Sequence, residues 1–213
     1  MSVTDQDQLT EIQLRVLEPN DSGATFPSGL WTPTEILSYF NQRQNRFNKE
    51  TGLLLAIADV PTVAGQTRYT DGLPVEDWIA TQRVVYFDST GLATPMAIVD
   101  SRVMDSLPAG RLPTRPTWFD ESTPPLLAFD VAPTAPDALG HFELLYISIL
   151  EVLGGAGDLF DVPDDFVPYI TYGVLADMFS KISRVQNLEL AAYFESRFDE
   201  GVKLAGYLLE GRH

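Results

Sequence analysis

The sequence predicts an α+β protein in which a small antiparallel helical bundle carries an inserted domain rich in β-strands and proline. Two stretches near the C-terminus, Asp165–Ile182 and Leu188–Leu209, repeat apolar residues at steps of three or four, which is the period of an amphipathic helix. A third stretch, nearer the N-terminus, has the start signals of a capped helix. Between them, short apolar runs are separated by Gly and Pro. We therefore predict a helical bundle from residues 1–59 and 163–213 and an inserted β-rich domain over residues 60–162.

The first 18 residues fit two patterns. Leu9, Ile12 and Val16 have helical spacing, whereas Ile12, Leu14 and Val16 alternate as in a strand. We expect a short helix here.

The next helix has a clear beginning. Thr32 is a candidate N-cap in a T-x-x-E capping box, and Pro33 occupies the first helical position, where its missing N–H costs nothing. The helix is expected to run to about Glu50, or as far as Ala58 if Gly52 is tolerated inside it.

The middle of the chain is expected to be mostly strands and loops. Ile79–Phe87 is rich in β-branched and aromatic residues and is followed by a turn at Asp88–Gly91. The remaining predicted elements are a strand or short helix around Pro95–Met104, an extended Pro-rich loop over Leu107–Pro125, and strands at Leu126–Val131 and His141–Leu150.

The two C-terminal stretches should form a helical hairpin. Only Ser183–Asn187 separates them, so the helices are expected to lie antiparallel. Asp164 or Asp165 can cap the first helix. The buried stripe of the second helix is predicted to be Leu190, Phe194, Phe198, Val202, Ala205 and Leu209.

The composition excludes several classes of function. The chain contains no cysteine, which excludes disulfides, thiol catalysis and Cys-ligated zinc. Its net charge of −16 repels nucleic acid and anionic lipid, so we expect no tight nucleic-acid binding. The sequence has no signal-peptide pattern and no run of about 18 apolar residues, so we expect synthesis in the cytosol and no membrane contact.

Candidate catalytic and metal-binding residues are few. His141 and His213 lack the spacing of a His-based metal site or catalytic triad. Four clustered aspartates could offer oxygen ligands to a cation, but the EF-hand order is missing, and helix capping plus a solvated linker is the interpretation we favour. They are Asp158, Asp161, Asp164 and Asp165.

Two further patterns are weak. The loop Gly154–Gly157 lacks the Lys-Ser/Thr of a P-loop, so it is a poor candidate for a phosphate cradle. Arg43, Arg46 and Lys49 form a mild basic stripe, which we interpret as a solvated face or a partner contact. We therefore predict no catalytic, cofactor-binding or metal-binding residue, and no enzymatic activity.

The C-terminal hairpin contains more aromatic and small residues than a small core needs. Tyr169, Tyr172, Tyr193 and Tyr207 are numerous for one hairpin, and tyrosine is enriched at protein interfaces. Glycines inside the helices, including Gly201, permit close approach of a neighbouring helix, either within the bundle or from another subunit. These five residues are our candidate subunit interface.

The order of elements resembles the tailed-phage head–tail adaptors, also called connectors or tail tubular A-like proteins. The resemblance rests on an N-terminal helix that opens with WTPTEI at Trp31–Ile36 and continues through Phe40–Leu54. It also rests on the strand-like stretch Val63–Trp78 followed by RVVYFD at Arg83–Asp88, and on the Tyr/Leu/Ala-rich hairpin Tyr172–Leu209.

The resemblance implies a virion structural protein of the tail or neck, made in the host cytoplasm. It implies a homo-oligomeric ring, commonly a dodecamer, that contacts the portal protein and tail nozzle or fibre proteins and encloses the channel through which DNA leaves. It implies no cofactor. The alternatives are another phage neck, tail-completion or baseplate protein, a carboxylate-based hydrolase acting in infection, and a module that interacts with host-cell components.

Overall fold

The computed structural model describes residues 2–16, 26, 29–74, 76–99, 116–123, 126–130, 132, 140–182 and 186–210. Over these residues the chain has four α-helices and two four-stranded sheets, so the prediction of a mixed α+β protein is confirmed. The chain divides into two compact units, residues 1–54 with 149–213 and residues 55–148.

The first unit contains the four helices. They are α1 (Asp5–Arg15), α2 (Pro33–Thr51), α3 (Val167–Ser180, preceded by a 3-10 turn at Asp164–Phe166) and α4 (Leu188–Glu210). The short helix expected within the first 18 residues is confirmed, and a capping box between Thr4 and Asp7 starts it. The core of this unit includes the fully buried rings of Phe40, Phe47 and Phe198.

The end of α2 differs from one of the two predicted possibilities. Gly52 adopts a left-handed φ of 62° and its N–H donates to the Asn48 carbonyl, which terminates the helix. The Asn48 side chain then accepts from the Leu54 N–H at 2.8 Å and donates to the Leu54 carbonyl at 3.2 Å. A helix that continues to Ala58 is therefore wrong, and a strand begins at Leu55.

The second unit is built of two sheets. Its strands are β1 (Leu55–Pro61), β2 (Arg68–Tyr69), β3 (Trp78–Phe87), β4 (Ala93–Pro95), β5 (Ala97–Ile98), β6 (Trp118–Thr123), β7 (Leu126–Phe129) and β8 (His141–Ser148). One sheet has the order β1-β8-β3-β4 and the other β2-β7-β6-β5, with β5 and β6 as the parallel pair. Phe129 of the second sheet stacks on Phe142 of the first with ring centroids 3.9 Å apart, so the two sheets share one core.

The predicted Pro-rich loop Leu107–Pro125 is wrong over part of its length. Trp118–Thr123 is the strand β6, while residues 107–115 and 124–125 lie outside the described residues. The Asp130 carboxylate accepts from the Thr117 N–H at 3.0 Å and the Trp118 N–H at 3.2 Å, which fixes the beginning of β6 against the end of β7. The density of proline around this strand concealed it in the sequence.

Of the two possibilities predicted around Pro95–Met104, the strand is the one found: the described residues there form the end of β4 and the short strand β5, and residues 100–104 lie outside the described part of the chain. The predicted caps of α3 need correction. Neither Asp164 nor Asp165 caps α3, because neither the 3-10 turn nor α3 has a side-chain cap bond. Asp164 instead accepts from the Val3 N–H at 3.2 Å and so ties down the N-terminal segment.

Candidate subunit interface on helix α4

Three of the five predicted interface residues lie between α3 and α4 of the same chain. Gly201 is buried, and a Cβ atom at this position would overlap the Tyr169 side chain. Tyr172 is half-buried and stacks on Phe194 with ring centroids 6.0 Å apart. Gly201 therefore permits close packing of α3 and α4 within one subunit.

The other two predicted residues lie at the surface. Tyr193 is 49% exposed and Tyr207 is 69% exposed. Leu204 and Leu208 are also exposed, and they lie on the same side of α4. Large apolar side chains grouped in this way are typical of a surface that contacts another protein.

Two charged residues lie between the exposed tyrosines. Arg197 donates to the Tyr193 hydroxyl at 3.3 Å and to the Glu200 carboxylate at 2.7 Å, and its guanidinium lies 5.5 Å from the Tyr193 ring centroid. Hydrogen bonds to Tyr193 and Glu200 raise the pKa of Arg197. Leu190, which the sequence predicts to belong to the buried stripe of this helix, is only half-buried and lies in line with these residues. We call the set Leu190, Tyr193, Arg197, Glu200, Leu204 and Tyr207 the outer stripe.

The opposite side of α4 holds a second, buried group of charges. Arg43 of α2 forms two hydrogen bonds with Asp177 of α3, at 2.6 and 2.7 Å, and an ion pair with Glu195 of α4 at 2.7 Å. Arg46 donates to the same Glu195 at 2.6 Å. Both guanidiniums lie about 5 Å from the Phe198 ring centroid, at 5.1 and 5.0 Å.

These contacts correct the interpretation of the basic stripe. Arg43 is 8% exposed, so it is neither a solvated residue nor a partner contact, whereas Lys49 is exposed. Partial burial by itself would raise the pKa of Glu195, but the hydrogen bond from Arg46 and the charge of Arg43 outweigh it and hold that pKa below its usual value. We call the group Arg43, Arg46, Asp177 and Glu195 the arginine clamp. It joins α2, α3 and α4.

The glycine loop and the acidic cluster also have intramolecular partners. The fully buried Asp5 carboxylate accepts from the Gly155 N–H at 2.7 Å and the Gly157 N–H at 3.1 Å. The loop thus binds an anion, as a phosphate cradle would, but the anion is a side chain of the same chain. Asp158 accepts from the Gly154 N–H and Asp161 from the Glu151 N–H, each at 2.7 Å. Among the described residues, no group of three or more acidic or histidine side chains is arranged to hold a metal ion.

A cleft of about 610 Å³ lies beside α2. The Asn41 and Asn45 side-chain oxygens accept hydrogen bonds from the Leu153 and Leu150 N–H groups, at 2.9 and 2.8 Å, and so hold the extended segment against α2. Among the described residues that line this cleft there is no Asp, Glu or His, so they offer no pair of carboxylates for hydrolysis. His141 stacks on Phe87 with ring centroids 4.8 Å apart, and His213 lies outside the described residues.

The family is decided by comparison with known proteins. A model of the SU10 adaptor protein family matches residues 6–211, which is nearly the whole chain. The chain belongs to the SU10 adaptor protein family. It is therefore a structural phage head–tail adaptor and a component of the virion, and the predicted resemblance is confirmed at that level. The tail tubular A-like subgroup stays a prediction. Comparison with curated proteins gives no match.

In this adaptor the described helices include none that is long and apolar enough to cross a membrane. The predicted interface residues divide into an inner set (Tyr169, Tyr172, Gly201) and an outer set (Tyr193, Tyr207). Arg197, Glu200 and Leu204 of the outer stripe were not among the residues predicted from the sequence. The signal that could have found them is their spacing, since the stripe advances by three and four residues alternately.

Proposed function

We propose that the adaptor assembles into a homo-oligomeric ring, a dodecamer in the state common to such proteins, between the portal protein and the tail. The ring encloses the channel through which DNA leaves the capsid. The subunit contacts of such a ring are heterologous and close by rotation, so each subunit presents two different surfaces to its neighbours.

The observation that carries the proposal is the outer stripe. Tyr193 and Tyr207 lie exposed on a 23-residue helix that is fixed to the rest of its unit by the arginine clamp. Exposed tyrosines on a rigid element bury large areas with little loss of side-chain entropy, which suits an assembly contact. Tyr169, Tyr172 and Gly201 support the surface from inside by setting the distance between α3 and α4.

The charge of the chain supports the proposed channel. A protein with a net charge of −16 makes few counterion-releasing contacts with phosphate, so DNA can move past it without being held. We expect the purified protein to bind no duplex DNA at physiological salt in a gel-shift assay. Tight, salt-sensitive binding would contradict the proposed passage of DNA.

The proposal assigns different partners to the two parts of the chain. The helical part, predicted as residues 1–59 and 163–213, contacts the portal protein, and the inserted β-rich part contacts tail nozzle or fibre proteins. Cryo-electron microscopy of purified particles tests this assignment. A density map in which the β-rich part lies against the portal would overturn it.

The ring itself is tested by mixing the purified adaptor with its portal protein and measuring particle mass by mass photometry. Wild-type protein is expected to give one portal-bound ring. The double variant Tyr193→Ala/Tyr207→Ala is expected to bind the portal protein with fewer than a full ring of subunits, because it lacks the exposed tyrosines proposed to contact the neighbouring subunit. Leu14→Ala, which truncates a 58% exposed apolar residue on α1, is the matched control. If the double variant forms a complete ring, the outer stripe is not part of the contact between ring subunits.

A further inference from the structure

The outer stripe has the spacing of a coiled-coil seam. Its members follow one another at steps of three, four, three, four and three residues, from the half-buried Leu190 to the exposed Tyr207. Neighbours at these steps lie one above another on a helix with 3.6 residues per turn. Arg197 and Glu200, with side chains 44% and 54% exposed, occupy the middle of the seam.

We propose that two copies of this adaptor pair in solution through the outer stripe, with their α4 helices antiparallel about a two-fold axis between Arg197 and Glu200. In this register Arg197 of each copy faces Glu200 of the other. The same register places Tyr193 opposite Leu204 and Leu190 opposite Tyr207. Each layer therefore joins an apolar residue to an apolar residue or a cation to an anion.

Charge complementarity selects both the partner and its direction. Arg197 and Glu200 already form an ion pair within each copy. In the antiparallel register each of these charges also faces an opposite charge of the second copy. A parallel pair would place Arg197 against Arg197 and Glu200 against Glu200, and like charges in a seam are repulsive. In the antiparallel pair each arginine has two glutamates as neighbours, one in its own helix and one in the other copy, and each glutamate has two arginines.

The pair is expected to be weak and dependent on concentration. One helix face buries less area than a typical stable interface, and two copies that each carry a charge of −16 repel one another at low salt. The proposed ring contact uses the same stripe, so the pair has to separate before a ring forms. Pairing does not depend on the ring proposal, because it concerns the free protein.

Sedimentation velocity of the purified full chain at physiological ionic strength, over a series of concentrations, tests the proposal. The single reversals Arg197→Glu and Glu200→Arg each create two like-charge contacts and are expected to weaken pairing by about tenfold or more. An equimolar mixture of the two variants restores the opposite charges across the seam, and so does the double variant R197E/E200R. Both are expected to recover pairing close to that of the wild type.

Lys203→Glu is the matched control, since it reverses an exposed charge on α4 outside the outer stripe and is expected to leave pairing unchanged. Far-UV circular dichroism confirms that each variant retains its helices. The proposal is overturned if the wild type stays monomeric at all concentrations, if single reversals pair as the wild type does, or if neither the mixture nor the double variant recovers pairing. None of these results bears on ring formation with the portal, which the tyrosine variants test.

Discussion

The two sides of α4 carry the same chemistry in different surroundings. On the inner side Arg43 lies 2.7 Å from Glu195 and 5.1 Å from the Phe198 ring centroid. On the outer side Arg197 lies 2.7 Å from Glu200 and 5.5 Å from the Tyr193 ring centroid.

The geometries are nearly equal, but the Arg43 side chain is 10% exposed and the Arg197 side chain 44%. Water screens the outer ion pair and hardly reaches the inner guanidinium, so similar distances carry different energies. The inner group therefore holds the fold together, while the outer group is free to contact a partner.

The largest expected effect comes from opening the arginine clamp. Arg43→Met removes a buried cation and leaves Asp177 and Glu195 without it, and we expect the free energy of unfolding to fall by about 3 kcal/mol. Urea denaturation followed by circular dichroism measures the loss. The double variant Arg43→Met/Asp177→Leu should lose less free energy of unfolding than its two single variants lose together. The reason is that each single substitution leaves a charged group without its partner, whereas the double variant leaves neither. Simple additivity would contradict the coupling.

The two glycines of α4 compare its packed side with its open side, because replacing either one by alanine adds a single methyl group. Gly201→Ala inserts a Cβ into the Tyr169 side chain and is expected to cost about 1–3 kcal/mol through overpacking. Gly206→Ala meets no atom within 4 Å and should stabilise the protein by about 0.4–1 kcal/mol, because alanine is the better helix former.

Thermal denaturation of the two variants side by side measures the difference. Equal effects would mean that Tyr169 moves aside at little cost. A defect in assembly caused by Gly201→Ala counts as an interface effect only if the folded fraction is unchanged.

The sequence predicts the inner face of α4 better than the outer one. Phe194, Phe198 and Ala205 share one helical period, and periodicity detects an uninterrupted apolar stripe. The outer stripe contains Arg197 and Glu200 at its centre, so its apolar periodicity is interrupted and the sequence pattern predicts a solvated surface there. The exposed tyrosines could be named from composition, but only the structure separates them from Tyr169 and Tyr172.

The arginine clamp could not be predicted from local sequence patterns, for a different reason. Arg43 lies on what reads as the polar side of α2, and its partner Asp177 is 134 residues further along the chain. The start of α2 could be predicted, because Thr32 and Pro33 act within one turn. Pairings between distant residues depend on how the helices pack, which a single sequence does not specify.

Acid should weaken the inner group. The pKa of Glu195 is held below its usual value in the folded protein, so its contribution to stability is complete above a pH of about 4.5 and is lost as the pH falls through the folded-state pKa. The midpoint of urea unfolding, measured between about pH 7 and pH 3, should drop in the acid range. Glu195→Gln should be less stable at neutral pH and lose less on acidification. An unchanged acid slope in this variant would remove Glu195 as a source of the effect.

The smallest expected effect is that of Arg197→Met, which makes on the outer side the change that Arg43→Met makes on the inner side. The Arg197 side chain is already in water, and its ion pair with Glu200 joins neighbouring turns of one helix, so we expect no resolvable change in the free energy of unfolding. The measurement uses dilute protein, where pairing of copies does not add to stability. A loss as large as that of Arg43→Met would make the outer stripe part of the fold. If stability is unchanged, the outer stripe can be altered without disturbing the fold, and effects of its variants on pairing or on the ring then report on contacts between subunits.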